Sequence, residues 1–269
     1  MKAMCQFFGI SRAAYYVWVN KMDQPDPDAE RLAWVQEAYQ QSRRIYGYRR
    51  IRLWIGKHKG VMLNHKAVLR LMNKLNIHSV VRKRKPHKKL TQLDTYHCYE
   101  NLLNRDFHAT QPNQKWVTDV TYILTQQGWG YLSTIKDLFD GFIVAYEFGR
   151  ENSQSLVTKT IHQAIRKEKV TAGLILHSDR GHPYTSQAYF VLTQQSAMLP
   201  SMSRPANCWD YAPMENFFGH LKEEALRQVP MPTFEEARRI IDDYICFYNY
   251  ERIQLKTKQT PFETRCLSQ

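Results

Sequence analysis

Trp116-Val117-Thr118-Asp119-Val120-Thr121-Tyr122 alternates in character, is rich in β-branched and aromatic residues, and carries one carboxylate at its centre. That period of two predicts a strand rather than a helix, because side chains of a strand point to opposite faces in turn. Working outward, Tyr131 to Leu138 and Phe142 to Phe148 read as two further strands, and the Gly141 corner between them suggests an antiparallel meander. Ser153 is placed to cap a helix running to about Lys167, and Leu174-Ile175-Leu176 reads as a short buried strand. A helix around Ser186–Gln195, a strand near Met198–Met202 and a helix from about Pro213 to Leu226 follow. Thr233-Phe234-Glu235-Glu236 is a capping box that opens a last amphipathic helix with Ile240, Ile241, Tyr244, Phe247 and Tyr248 inward. Three strands, then helix and strand in alternation, predict an α/β fold: a mixed sheet flanked by helices.

The part before this sheet has a different texture. Gly9-Ile10-Ser11 reads as a turn followed by an N-cap, with a short helix over Arg12 to Trp18. Pro25-Asp26-Pro27-Asp28 breaks the chain, and a helix with Leu32, Val35 and Tyr39 at helical spacing follows. Another starts near Tyr48 with Ile51, Trp54 and Ile55, and a third is capped by Asn64 with Val68, Leu71, Met72 and Leu75 on one face. Helix, Gly-containing turn and helix is the helix-turn-helix arrangement, whose second helix can enter a major groove.

Charge separates the two parts. The 269 residues carry a formal net charge of +13, yet residues 1–110 hold 21 Lys/Arg against 8 Asp/Glu, and residues 111–269 hold 17 of each. From Ala38 to Leu93 there is no acidic residue, and the stretch ends in Arg82-Lys83-Arg84-Lys85-Pro86-His87-Lys88-Lys89, which reads as an exposed basic linker. An acid-free run of this length points to nucleic-acid contact, and ten phosphate contacts would give a salt slope of about −9. No run approaches the ~20 apolar residues of a membrane span, and Gln6, Ser11 and Arg12 interrupt any signal-peptide stretch. The five cysteines are scattered without a C-x-x-C pair, as in a reducing cytoplasmic setting.

Three acids stand out by position. Asp119 lies mid-strand, Asp179 directly follows a buried strand in His177-Ser178-Asp179-Arg180-Gly181, and Glu215 opens a helix in Ala212-Pro213-Met214-Glu215-Asn216. Asp179 could also cap a turn, Glu215 complement a helix dipole, and Asp119 be an edge-strand charge. Converging at one sheet edge, however, they would repel one another unless a cation neutralised them. Hard oxygen ligands without a His or Cys set select Mg²⁺ or Mn²⁺ over zinc. Two such ions suit in-line displacement at phosphorus. Asp137 and Asp140 read as structural or turn residues.

Asp119 and Asp179, with 35 residues between Asp179 and Glu215, resemble the Asp-Asp-35-Glu core of retroviral integrases and bacterial insertion-sequence transposases. The flanks at 116–122 and 177–181, and Ser201-Met202-Ser203 ahead of Glu215, are similar to the second-reading-frame product of the two-frame insertion-sequence family. So are Tyr248-Asn249 with Arg252, Thr260-Pro261, Gly9-Ile10-Ser11-Arg12 with Tyr15-Tyr16-Val17-Trp18, and Tyr46-Gly47-Tyr48-Arg49-Arg50-Ile51. Tyr211 stands where that family often has Asn, Gln254 where it usually has His, and Gly181-His182-Pro183-Tyr184 replaces the commoner Gly-Ser-Gln-Tyr.

The resemblance implies a ribonuclease H-like five-stranded core over 111–228, preceded by a helix-turn-helix-like DNA-binding region over 1–80 and a basic linker over 81–110, with a helical extension over 229–269. It implies that Asp119, Asp179 and Glu215 bind two Mg²⁺ ions, with Mn²⁺ able to substitute, and that the chain nicks element ends and joins the 3′-hydroxyl to target DNA. Lys222, two turns beyond Glu215, falls where the family carries a basic residue that contacts terminal DNA. Arg12, Arg49 and Arg50 of the helical region and Arg82, Lys83, Arg84, Lys85, Lys88 and Lys89 of the linker are the other expected DNA contacts. The implied partners are double-stranded DNA (element ends and target), further copies of the chain on that DNA and a first-reading-frame protein. The implied setting is the cytoplasm, at the nucleoid. Two alternatives keep the same fold: a nuclease that cuts without joining, and a catalytically silent DNA-binding regulator of transposition.

Overall fold

The computed structural model describes residues 1–22, 26–81, 97–168, 170–204 and 208–267. Arg82, Lys83, Arg84, Lys85, Lys88 and Lys89 lie outside the described residues. The chain divides into two compact units, one over Met1–Ser79 and one from Val80 onward. None of the described helices is long and apolar enough to cross a membrane.

The first unit is helical: α1 (Lys2–Phe7), α2 (Arg12–Met22), α3 (Ala29–Gln41), α4 (Tyr48–Lys59) and α5 (His65–Lys74). Its core is the apolar stripes of the last three, with Val35, Ala38, Ile51, Ile55, Val68 and Leu71 fully buried. The α4–α5 junction is a second Gly-containing turn. Gly60 closes α4 at φ +69°, where a Cβ would be strained, and Asn64 caps α5 by accepting the Lys66 N–H at 2.9 Å. Several cations of the acid-free run are engaged within the unit: Arg70 with Asp28 at 2.7 Å, Lys59 with Glu37 at 2.8 Å, and Lys74 with Asp26. Arg52 donates to the Leu63 carbonyl at 2.7 Å. Arg12 and Arg49 are exposed, while Arg50 lies partly buried beside the Tyr46 ring.

The second unit holds the sheet: β1 (Lys115–Thr125), β2 (Gly128–Asp137), β3 (Ile143–Gly149), α6 (Gln154–Lys167), β4 (Ile175–Ser178), α7 (Gln187–Gln195), β5 (Leu199–Met202), α8 (Ala212–Glu224), α9 (Phe234–Tyr250) and α10 (Pro261–Cys266). Strand order is β3-β2-β1-β4-β5. β1 pairs antiparallel with β2 and parallel with β4, so the opening strand of the sequence is its central pivot. The predicted caps are present, Ser153 on α6 and the Thr233 capping box on α9, and Ser186 caps α7. One face of the sheet, with Trp116 and Leu176, packs on Val157, Ile161, Tyr189 and Leu192 of α6 and α7. The opposite face, carrying Val117, Asp119 and Thr121, meets α8, where Lys222 donates to Thr121 Oγ1 at 2.6 Å. Within the stretch expected as linker, His97 packs against α7 at Phe190, Leu102 donates its N–H to Ser201 Oγ of β5 at 2.9 Å, Leu103 is buried, and Asp106 bonds Lys115 at the start of β1 at 2.8 Å.

α10 had no counterpart among the expected elements, and it anchors the unit. Arg265 reaches Asp137 at 2.7 Å, Asp140 at 2.6 Å and Glu168 at 2.5 Å. Asp137 and Asp140 are thereby structural, as expected. Asp137 Oδ1 and Oδ2 accept the Phe139 and Asn113 N–H groups, and Asp140 accepts that of Phe142. The C-terminal signature is structural too. Asn249 exchanges two hydrogen bonds with the Ile143 backbone, and fully buried Arg252 forks onto Glu224 at 2.7 and 2.6 Å. Gln254 supports that fork by accepting from Arg252 at 3.2 Å.

Candidate active site

The parallel β1–β4 ladder ends with Val117 opposite His177. Two residues beyond that pair come Asp119, still within β1, and Asp179, the residue directly after β4, so the neighbouring strands deliver the two carboxylates side by side. α8 lies over that face. Glu215 sits in its exposed first turn and Lys222 seven residues on, two turns along the same side of the helix.

Local hydrogen bonds fix the two aspartates. Asp119 Oδ1 accepts the Val120 N–H at 2.7 Å, and Asp179 Oδ1 accepts the Gly181 N–H at 2.9 Å. A Cβ at Gly181 would come within 2.9 Å of that Oδ1, so the small residue permits the close approach. Arg180 donates to the Ser203 carbonyl at 2.9 Å, holding the loop ahead of α8 against the end of β4. That loop carries a 3-10 turn over Cys208–Tyr211. Its buried Asp210 accepts from Arg204 at 2.8 Å, Arg105 at 2.9 Å and Asn101 at 3.0 Å, and Arg204 above all holds its carboxyl well below the usual range. Lys136 donates to the Pro213 carbonyl at 3.3 Å and so steadies the start of α8.

The electrostatics report convergence. Burial first, then the charge of Asp179 and further the charge of Glu215, push the Asp119 carboxyl well above the ordinary range, against the Val120 N–H and Lys222. Burial raises Asp179 as well, against the Gly181 N–H. Lys222 is half-buried, lies over the Tyr122 ring, and is lowered by burial and by Arg227. No group of three His, Cys, Asp or Glu side chains among the described residues is already disposed to hold an ion. The donor chemistry nevertheless fits a hard cation: oxygen donors only, crowded and mutually repelling.

The structure thus brings Asp119, Asp179, Glu215 and Lys222 to one face. Arg12, Arg49 and Arg50 belong to the helical unit. His177 is buried between β4 and β5, bonded through Nδ1 to Ser201 Oγ at 2.8 Å, and burial lowers it to about 4. It is a neutral core histidine. Two hydroxyls beside the carboxylates are buried, those of Thr134, which sequence does not single out, and Tyr211, which sequence marks only as a departure from the family pattern. Finding Thr134 requires the β1–β2 register, which sequence does not show.

Comparison with known proteins agrees with this architecture. Residues 109–208 match an integrase core domain, residues 215–267 a second integrase core domain model, and residues 26–85 an HTH-like domain. The HTH-like match falls on α3–α5 and their turns, not on the Gly9 hairpin where the sequence suggested the motif. The chain is 38% identical to the 31 kDa protein of insertion element IS600 of Shigella sonnei, over 93% of this chain and 92% of that protein. It is 28% identical to the transposase InsF for insertion sequence IS3A of Escherichia coli K12, over 93% and 88%. Among solved structures, the simian T-cell lymphotropic virus intasome in complex with PP2A regulatory subunit B56 gamma shares the fold at a TM-score of 0.51 and 15% identity, covering 80% of this chain and 74% of that one. With 34% identity to the putative transposase InsK for insertion sequence element IS150 of Escherichia coli K12, over 95% of this chain and 90% of that protein, the chain belongs to the bacterial insertion-sequence transposases with an integrase core.

Proposed function

We propose that the chain cleaves the ends of an insertion sequence and joins the resulting 3′-hydroxyl to target DNA by two-metal phosphodiester transfer. The observation that carries this reading is the placement of Asp119 within β1 and of Asp179 directly after the adjacent parallel strand β4, on the sheet face covered by α8, the helix that bears Glu215 and Lys222. Asp119, Asp179 and Glu215 are the residues that would hold two Mg²⁺ ions, or Mn²⁺ in their place. When bound, the ions supply activation of the attacking oxygen and stabilisation of the leaving one.

The chain's own residues do the rest. The backbone bonds to Asp119 and Asp179 hold those carboxylates in place, and the Asp210 network and Lys136 fix the segment that delivers Glu215. Lys222, fastened to Thr121, presents a cation to the DNA backbone beside the carboxylates. Arg12, Arg49 and Arg50, with the basic run at 82–89, are the proposed phosphate grip of the N-terminal part. Element-end and target DNA, a homo-oligomer on that DNA and a first-reading-frame protein are the proposed partners, in a bacterial cytoplasm at the nucleoid.

The test is an assay of the purified chain with Mg²⁺ and a duplex bearing the element's ends. Joined products are expected. Nicks without joining would favour the nuclease, and binding without cleavage would favour the regulator. Lys222→Ala is expected to weaken end binding and to reduce the salt slope of log K by about 1, measured by anisotropy titration across salt concentrations. An unchanged slope would remove Lys222 from the DNA contacts.

A further inference from the structure

Two hydroxyls near the carboxylate cluster are buried with nothing to bond. Thr134 on β2 is directly opposite Asp119 in the antiparallel ladder, fully buried, and its Oγ1 has no hydrogen-bond partner. Opposed residues of such a pair project to the same face with Cβ atoms about 4.5–5.5 Å apart, so the Thr134 side chain stands beside the Asp119 carboxylate. Tyr211, four residues before Glu215, is 6% exposed, and its hydroxyl also has no partner. Its ring lies 5.8 Å from that of His177 on β4, and Asp179 follows His177 by two residues, directly after that strand. The two hydroxyls therefore flank the aspartate pair, Thr134 from the β2 side and Tyr211 from the β4 side. The charges of Asp119 and Asp179 both act on the Tyr211 phenol, in keeping with that position.

Buried hydroxyls are nearly always satisfied, and an orphan in a native protein calls for a reason. We infer that Tyr211 and Thr134 are positioning residues that donate hydrogen bonds to the Asp119–Asp179 carboxylates, or to water between them, and hold those carboxylates in the arrangement that takes up a divalent cation. Carboxylates around a cation are commonly oriented by a further layer of donors, whose removal weakens cation affinity 10–100-fold. Tyr211 thereby acts inward. Its burial keeps the phenol from the DNA, although it occupies a position just ahead of α8. The inference rests on the assignment of Asp119 and Asp179 as cation ligands, and the experiment separates the two.

The test is Mn²⁺ binding to the full chain without DNA, followed by the loss of free-ion electron paramagnetic resonance signal, for wild type, Tyr211→Phe, Thr134→Val, Thr134→Ser and Asp119→Asn. Tyr211→Phe and Thr134→Val remove only the hydroxyl function while keeping shape. Each is expected to weaken Mn²⁺ binding about 10-fold or more, with Thr134→Ser restoring it. With the DNA assay, kcat should fall while KM for the end duplex is unchanged. Wild-type affinity in both Tyr211→Phe and Thr134→Val, alongside lost binding in Asp119→Asn, would overturn the positioning roles and leave the ligand assignment standing. Binding unaffected by Asp119→Asn would overturn both.

Discussion

Asp119→Asn is expected to reduce cleavage and joining by roughly three decades or more, and in metal-free buffer to raise the melting temperature. The loss follows from the cation's role, since charge stabilisation of the transition state by a bound ion supplies several kcal/mol and each 1.36 kcal/mol is tenfold in rate. Both steps should fall together, because one set of carboxylates serves both. The gain in stability comes from the carboxylate's position: burial and the charges of Asp179 and Glu215 raise its pKa in the folded protein. A group whose folded pKa lies above its unfolded value binds protons more tightly when folded. Its contribution to stability is therefore greatest below about pH 4, falls as pH rises through the folded pKa, and stays lost above it. The amide removes that penalty at neutral pH, and each kcal/mol recovered appears as about 2–4 °C in calorimetry. Mg²⁺ should then raise the wild-type transition and leave the variant's where it is. A lower melting temperature for Asp119→Asn in EDTA would mean that the repulsion is absent and the carboxylate is structural.

The same residue shows what could be read from sequence and what could not. A charge in the middle of a β-branched run is legible because it violates the strand's own preference, and a violation of that kind marks a functional position. The caps at Ser153, Asn64 and Thr233 are local chemistry, so they too could be read. What could not be read depends on register and long-range contact. Thr134 becomes a neighbour of Asp119 only once β2 is paired to β1 in one register. The basic run looked like a uniform phosphate grip because charge counts do not show pairing, whereas Asp26 and Asp28 reach across 42 or more residues to Lys74 and Arg70. The pattern helix, glycine turn and helix occurs at Gly9 and again at Gly60, so local sequence does not choose between them, and only the second lies within the HTH-like match. Arg252 reads as part of a family signature, and what sequence does not show is its task there: buried against Glu224, it holds the end of α8 in place.

Arg265→Met is expected to be the most destabilising single change away from the carboxylate cluster, and its cost should depend on pH. The guanidinium lies under Phe142 and bonds Asp137, Asp140 and Glu168, tying α10 to the β2–β3 corner and the end of α6. Replacing it leaves buried carboxylates without their cation, a change that costs about 3–5 kcal/mol, or roughly 6–20 °C in a domain of this size. Burial, followed by the neighbouring Asp140, already raises Asp137 to about 6. In the wild type its contribution to stability is therefore present below about pH 4, declines as pH rises to about 6, and is level above that. Without Arg265 the folded pKa values of Asp137 and Asp140 climb further, and the declining window extends to higher pH. Urea unfolding at pH 5 and pH 8 should then show a modest deficit for Arg265→Met at the lower pH and a much larger one at the higher. Arg265→Met combined with Asp137→Asn should recover part of the loss at pH 8 and little at pH 5, because the amide removes only a charge that protonation has already begun to remove. An equal deficit at both pH values would locate the effect in lost packing against Phe142 instead of in the stranded carboxylates.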